Sequence, residues 1–167
     1  QEENPMMKRT ESLTITTPSD RELTISRTFN APRALVYEAY TRPELVKRWL
    51  GVRNGWTLPV CEIDLRVGGA FRYVWRSATG QDMGMSGVFL EIVPGERVVA
   101  TETFDDAWYE GDAVGTVTFT EENGRTTLTM TMRYASKDVR DAVLRSPMDK
   151  GLGESFDMLD DVLPGVA

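Results

Sequence analysis

Histidine is absent from the 167 residues, and Cys61 is the only cysteine. Without histidine there is no Ser-His or Cys-His nucleophile pair, and the commonest general base and usual zinc ligand are missing. Any catalysis would have to use carboxylates, Tyr, Lys, Arg or ordered water. A lone cysteine cannot close an intramolecular disulfide, which suits a reducing cytosol and predicts a cytoplasmic protein. Positive charge is also scarce: 19 Lys+Arg face 26 Asp+Glu, a formal net charge of −7. Proteins that neutralise phosphate carry the opposite balance, so neither nucleic acid nor an anionic membrane is an expected partner. No apolar run reaches the roughly eighteen residues of a transmembrane span. The opening QEENPMMKRT lacks the apolar centre of a signal peptide. Residues 1–10 read as disordered or left over from expression, with 11–167 as one domain of ordinary size.

What is present is a core-forming 41% of hydrophobic residues in two kinds of pattern. ELTISRTF at 22–29 alternates around Leu23, Ile25, Arg27 and Phe29 and predicts a strand. LTITT at 13–17 predicts a short strand or an extended lead-in. Asn30 is placed to cap a helix with Pro32 in its first turn and an apolar stripe of Leu35, Val36, Ala39 and Tyr40. Thr41-Arg42-Pro43 ends that helix and starts a second short one through Trp49. From Thr57 to Tyr134, turn residues such as Gly68-Gly69, Pro94-Gly95 and Asn123-Gly124 separate six alternating runs. They fall near 57–66, 70–77, 84–93, 96–104, 112–121 and 126–134 and predict an antiparallel meander. A short helix is predicted at 137–145. Met148, Leu152, Phe156, Leu159 and Leu163 then form one face of a longer helix, started by Ser146-Pro147 and stopped by Pro164-Gly165. Gly151 and Gly153 inside it point to a close approach or a bend near residue 152.

The predicted fold is α+β: a curved antiparallel sheet of about seven strands around a long C-terminal helix, with two short helices between the first two strands. Only that helix is long enough to cover the apolar face of the sheet. A strongly curved sheet and one helix leave space between them, opening where the short helices sit.

Several stretches carry a family resemblance: RTFNAPRALVYEAYTRPELVKRWLG at 27–51, CEIDLRVGGAFRY at 61–73, GVFLEIVPGERVVATETF at 87–104 and GRTTLTMTMRY at 124–134. Met148-Asp149-Lys150-Gly151 adds the start of the last helix. The chain resembles the START-like, helix-grip superfamily (the SRPBCC or Bet v 1-like group) over roughly residues 22–163. Within it, the sequence is similar to the branch named for the activator of the heat-shock chaperone ATPase. The resemblance implies a hydrophobic cavity for a small ligand. The branch takes its name from a eukaryotic co-chaperone domain.

Gly68-Gly69 stands between two strands, not between a strand and a helix, so it reads as a strand corner and not a dinucleotide loop. Phe71, Tyr73 and Trp75 share one strand face, as do Val98, Ala100, Glu102 and Phe104, and Leu128, Met130, Met132 and Tyr134. All three sets are assigned to the concave side, with Thr127, Thr129, Thr131 and Arg133 outside in solvent. Glu102 is the sharpest feature: a carboxylate on an apolar face needs a partner or a proton. Arg76, Tyr73 and Tyr109 are its candidate partners. Trp49, Trp56, Trp108 and Tyr109 read as pocket rim or core plug. The candidate ligand-binding residues are Trp49, Trp56, Phe71, Tyr73, Trp75, Glu102, Phe104, Tyr109, Met130, Met132 and Phe156. Arg66, Arg72 and Arg76 are expected to pair across strands with acids such as Glu62, Asp64 and Glu91. The acidic stretch Asp105–Asp112 lacks an EF-hand pattern and reads as a solvated loop. No metal or other cofactor is implied.

Three functions fit these residues. The first is binding of a small apolar or aromatic molecule in the cavity. The second is a cyclase, aromatase or hydrolase-like enzyme with Glu102 as general base. The third is an interaction module, either a chaperone co-factor or a homodimer.

Overall fold

The computed structural model describes residues 13–166. The N-terminal assignment at 1–10 lies outside the described residues, as do 11, 12 and 167. Two strands, β1 (Thr14–Ser19) and β2 (Glu22–Phe29), precede two short helices, α1 (Arg33–Thr41) and α2 (Pro43–Val46). Six strands follow: β3 (Thr57–Ile63), β4 (Ala70–Arg76), β5 (Asp82–Val93), β6 (Arg97–Phe104), β7 (Ala113–Glu122) and β8 (Arg125–Arg133). Helices α3 (Lys137–Arg145) and α4 (Met148–Val162) and a 3-10 turn at Leu163–Gly165 complete the described chain.

The strands form one antiparallel sheet in the order β1-β2-β8-β7-β6-β5-β4-β3. The helix-grip expectation holds, with eight strands because Thr14–Ser19 pairs with β2, with a break in register between Thr16 and Ser19. The two short helices therefore lie between β2 and β3. The meander runs from β3 to β8, and β2 closes onto β8 in unbroken register from Glu22↔Arg133 to Phe29↔Thr126. Between β5 and β6 the register slips from Phe89↔Ala100 to Glu91↔Val99, leaving Leu90 unpaired. Such a bulge bends a strand and adds twist.

Alternation in β2 is strict: Leu23, Ile25, Arg27 and Phe29 are buried and the residues between them half-buried. Helix α4 lies against this face through Phe156, Leu159 and then Leu163, all buried. Phe156 meets Phe29 edge-on at 5.8 Å and stacks on Trp49 at 6.1 Å. Arg27 is the one charge in the β2 stripe. Its guanidinium reaches Asp157 at 2.9 Å and Asp160 at 3.3 Å on α4 and lies over the Phe29 ring. Arg27 thus faces the core because the helix brings carboxylates to it.

The start of α1 differs from expectation. Asn30 is not the cap: Pro32 occupies the N-cap position and offers no side-chain bond. Its carbonyl accepts from Leu35 and Val36, and the Arg33 N–H donates to Glu121 Oε1 from β7 at 2.9 Å. A carboxylate from the sheet thus does the work of a local cap. At α3 the local signal holds, with Ser136 Oγ accepting from the Val139 N–H. The outer face of β8 is less wet than expected. Thr127 and Thr131 are half-buried and hydrogen-bond to Thr28 and Thr24 of β2, each at 2.9 Å. Gly153 meets only Leu13, at ordinary van der Waals distance, and Gly151 meets nothing, so neither marks a close approach.

Gly68-Gly69 is the corner between β3 and β4. Gly68 has φ of +86°, and its N–H donates to Phe89 O while Gly69 O accepts from Phe89 N–H. The pair delivers Phe71, Tyr73 and Trp75 to the concave side.

Candidate functional site

The site is built from three pieces. Strands β4, β5, β6 and β8 supply the floor, α4 one wall, and the segment after α2 (residues 49–56) the other. Two indole groups fix that last segment. Trp49 donates from Nε1 to Ala39 O at 2.9 Å, and Trp75 donates from Nε1 to Leu50 O at 2.9 Å. The Gly51 N–H donates to Ser155 Oγ of α4 at 2.9 Å, joining the two walls. Gly51 has φ of +70°, and a Cβ there would stand 2.5 Å from Trp75 Nε1, so both the backbone and the space demand glycine.

Between these pieces lies a cavity of about 440 Å³. Trp49, Trp56, Tyr73, Trp75, Glu102, Phe104, Met130 and Met132 all line it. Three of the named candidates lie elsewhere. Phe71 faces a smaller void of about 80 Å³ behind the first, with Tyr73, Glu102 and Met132 on both. Tyr109 stands behind Glu102, beside a separate surface pocket. Phe156 is fully buried in the core, because the helix turns that side chain onto Phe29 and Trp49. Trp108 lines the cavity while 47% exposed. Trp49 is fully buried apart from this lining role.

Glu102 holds the polar centre. Tyr109 donates its hydroxyl to Glu102 Oε1 at 3.0 Å, and no other described residue reaches the carboxyl. Arg76 pairs with Asp82 at 2.7 Å and so is not its partner. Burial lifts the Glu102 pKa above the ordinary carboxylate value, and the Tyr109 hydrogen bond offsets part of that rise. Tyr40, Tyr73, Tyr109 and Tyr134 surround it. Burial raises each of these phenols, and the Glu102 charge raises them further. All four therefore stay protonated at neutral pH. Tyr40, Tyr73 and Tyr134 line the cavity, and their hydroxyls bond to no other described residue. The arrangement offers one acceptor oxygen and three donor–acceptor hydroxyls to whatever enters.

Tyr40, Met85, Arg53 and Tyr134 were not among the candidates. Tyr40 belonged to the apolar stripe of α1, and nothing in its spacing distinguishes a cavity-facing hydroxyl from a core ring. Arg53 sits in the irregular segment GVRNGW, where no period assigns a direction.

The outer ion pairs form with partly different partners. Arg66 meets Asp64 at 2.9 Å, but Arg72 pairs with Asp105 at 2.6 Å and Glu91 with Arg97 at 3.2 Å. Burial pushes the Cys61 thiol up to about 11, which leaves it inert. No group of three or more His, Cys, Asp or Glu among the described residues could hold a metal ion. No helix among them is long and apolar enough to cross a membrane.

Residues 30–164 match the family model described as Activator of Hsp90 ATPase homolog 1-like protein. The chain belongs to this family. Solved structures share the fold. A Rhodobacter sphaeroides protein is 29% identical, covers 92% of this chain and 99% of its own, and superposes with a TM-score of 0.87. A Chromobacterium violaceum protein is 28% identical over 87% of this chain and 98% of its own, with a TM-score of 0.72. A Mycobacterium smegmatis protein, at 22% identity and covering 90% and 96% of the two chains, shares the fold with a TM-score of 0.79. No curated protein sequence matches the chain. Family membership accounts for the helix-grip architecture. Function has to be argued from the cavity.

Proposed function

We propose that this protein binds a small apolar or aromatic molecule in the cavity between the curved sheet and α4. The observation that carries the reading is the lining: methionines, tryptophans and Phe104 form the walls, and Glu102 with three tyrosine hydroxyls that bond to no described residue forms a polar centre. The volume of about 440 Å³ falls within the range of roughly 300–1,000 Å³ usual for small-molecule pockets. Hydroxyls that open to the cavity and bond to no described residue take water or a guest as partner. The single Cys61, which cannot close an intramolecular disulfide, supports a reducing, cytoplasmic setting.

The test is a small-molecule screen read by thermal shift, followed by NMR chemical-shift mapping. A true ligand at a hundred times its Kd adds about 2.7 kcal/mol of stability. Its shifts should centre on Tyr73, Met130, Met132 and Leu152. A library without a responder, or responders whose shifts fall on the outer sheet face, would overturn the reading.

A second reading, an interaction module or homodimer, has its own observation. Gly68 and Gly69 pair with Phe89, so exposed Leu65 and Val67 share a corner of the sheet with exposed Val88 and Leu90. Such a patch suits a protein partner, a chaperone among them. Sedimentation measurements and pull-downs with a purified chaperone separate it from the first reading.

A further inference from the structure

The cavity has two polar ends. At the inner end stands Glu102, which also borders the smaller void behind. At the outer end, beside exposed Asn54 and Gly151, stands Arg53. Arg27, Arg42, Arg72, Arg76 and Arg97 each face a carboxylate. Arg53 does not: its Nε is buried and has no hydrogen-bond partner, and no described residue forms an ion pair with its guanidinium. Glu154, the other carboxylate of the lining, pairs with Lys150 at 3.8 Å. Among the described residues, Arg53 is the one basic side chain of the cavity lining. One nitrogen of that charged group is out of water without a described partner, which is costly, and an anion held by the unpaired terminal nitrogens would offset the cost.

On the ligand-binding reading above, we propose that the guest is an aromatic carboxylic acid. Its acid group pairs with Arg53 at the mouth and its ring system fills the apolar middle. Glu102 sets the orientation, since an anionic group at the inner end would meet a second carboxyl. A hydroxyl or amine at the far end of the guest would instead find the free Glu102 oxygen and the hydroxyls of Tyr40, Tyr73 and Tyr134.

Two dyes with one skeleton test the charge. 8-Anilinonaphthalene-1-sulfonate carries an anionic group, and N-phenyl-1-naphthylamine lacks it. Fluorescence titration of both is compared in the wild type, R53M and R53K. We expect R53M to weaken the sulfonate dye at least about tenfold and the neutral dye less than about twofold. R53K, which keeps the charge, should retain most of the sulfonate affinity. Equal changes for both dyes, no change in either, or R53K behaving as R53M would each overturn the anion subsite. Neutral-dye binding without any effect of Arg53 leaves the ligand-binding reading standing. Failure of both dyes to bind the wild type counts against that reading itself. Arg53 makes no hydrogen bond through its side chain to a described residue, so both variants should fold, which circular dichroism checks.

Discussion

At the scale of single residues, Glu102 couples the site to pH. Its folded-state pKa is raised, mainly by burial. A carboxyl of this kind contributes stability that is fully present below its unfolded-state pKa and is lost as pH rises through the folded value. Glutamine does not titrate and keeps an oxygen for the Tyr109 hydroxyl. The melting-temperature difference between E102Q and wild type should therefore shift in favour of E102Q as pH rises above the ordinary carboxylate range. Thermal melts from pH 4 to pH 8 check this, and a flat or opposite trend contradicts the burial of Glu102. Its place on the concave face was legible in the alternation Val98, Ala100, Glu102, Phe104, because a strand turns every second side chain the same way. Its partner was not legible. Tyr109 lies in an irregular loop, and only the folded path brings its hydroxyl to the carboxyl.

At the scale of elements, the strands and helices were readable because each has a period and clear punctuation. The exceptions show what periodicity misses. The first turn of α1 is satisfied by Glu121 from a strand 88 residues away, so the local cap signal at Asn30 went unused. The pair Gly151 and Gly153 suggested crowding, yet a Cβ at Gly151 would meet nothing within 4 Å. That glycine lies at the cavity mouth inside a fifteen-residue helix. Gly151→Ala should stabilise the protein by up to about 1 kcal/mol through helix propensity. For a chain of this size that is a rise in Tm of about 2–4 °C. Calorimetry gives the number, and a lower Tm would show that the position needs glycine for a reason other than space.

At the scale of the molecule, α4 and the shorter α1 together cover one face of one sheet. Phe156, Leu159 and Leu163 are all buried beneath α4. Each such side chain contributes about 1.5–3 kcal/mol on burial, so together they approach the 5–15 kcal/mol total stability of a typical domain. A chain ending at Ser146 also leaves Arg27 without Asp157 and Asp160. It should show no cooperative unfolding transition and poor NMR dispersion. A cooperative melt for that fragment would mean that the sheet closes on itself without the helix.

The strand order carries a consequence for how the molecule is made. Pairing within the meander links neighbours in sequence, whereas β2 reaches β8 across a separation of 99 residues at Thr28 and Thr127. Contacts that close long loops form late and slow the folding reaction. On a ribosome, β2 can pair only with β1 until β8 has emerged, and α4 follows only after that. The concave hollow is therefore completed only once α4 has emerged. A guest can favour the finished fold, but it has nothing to hold before that point.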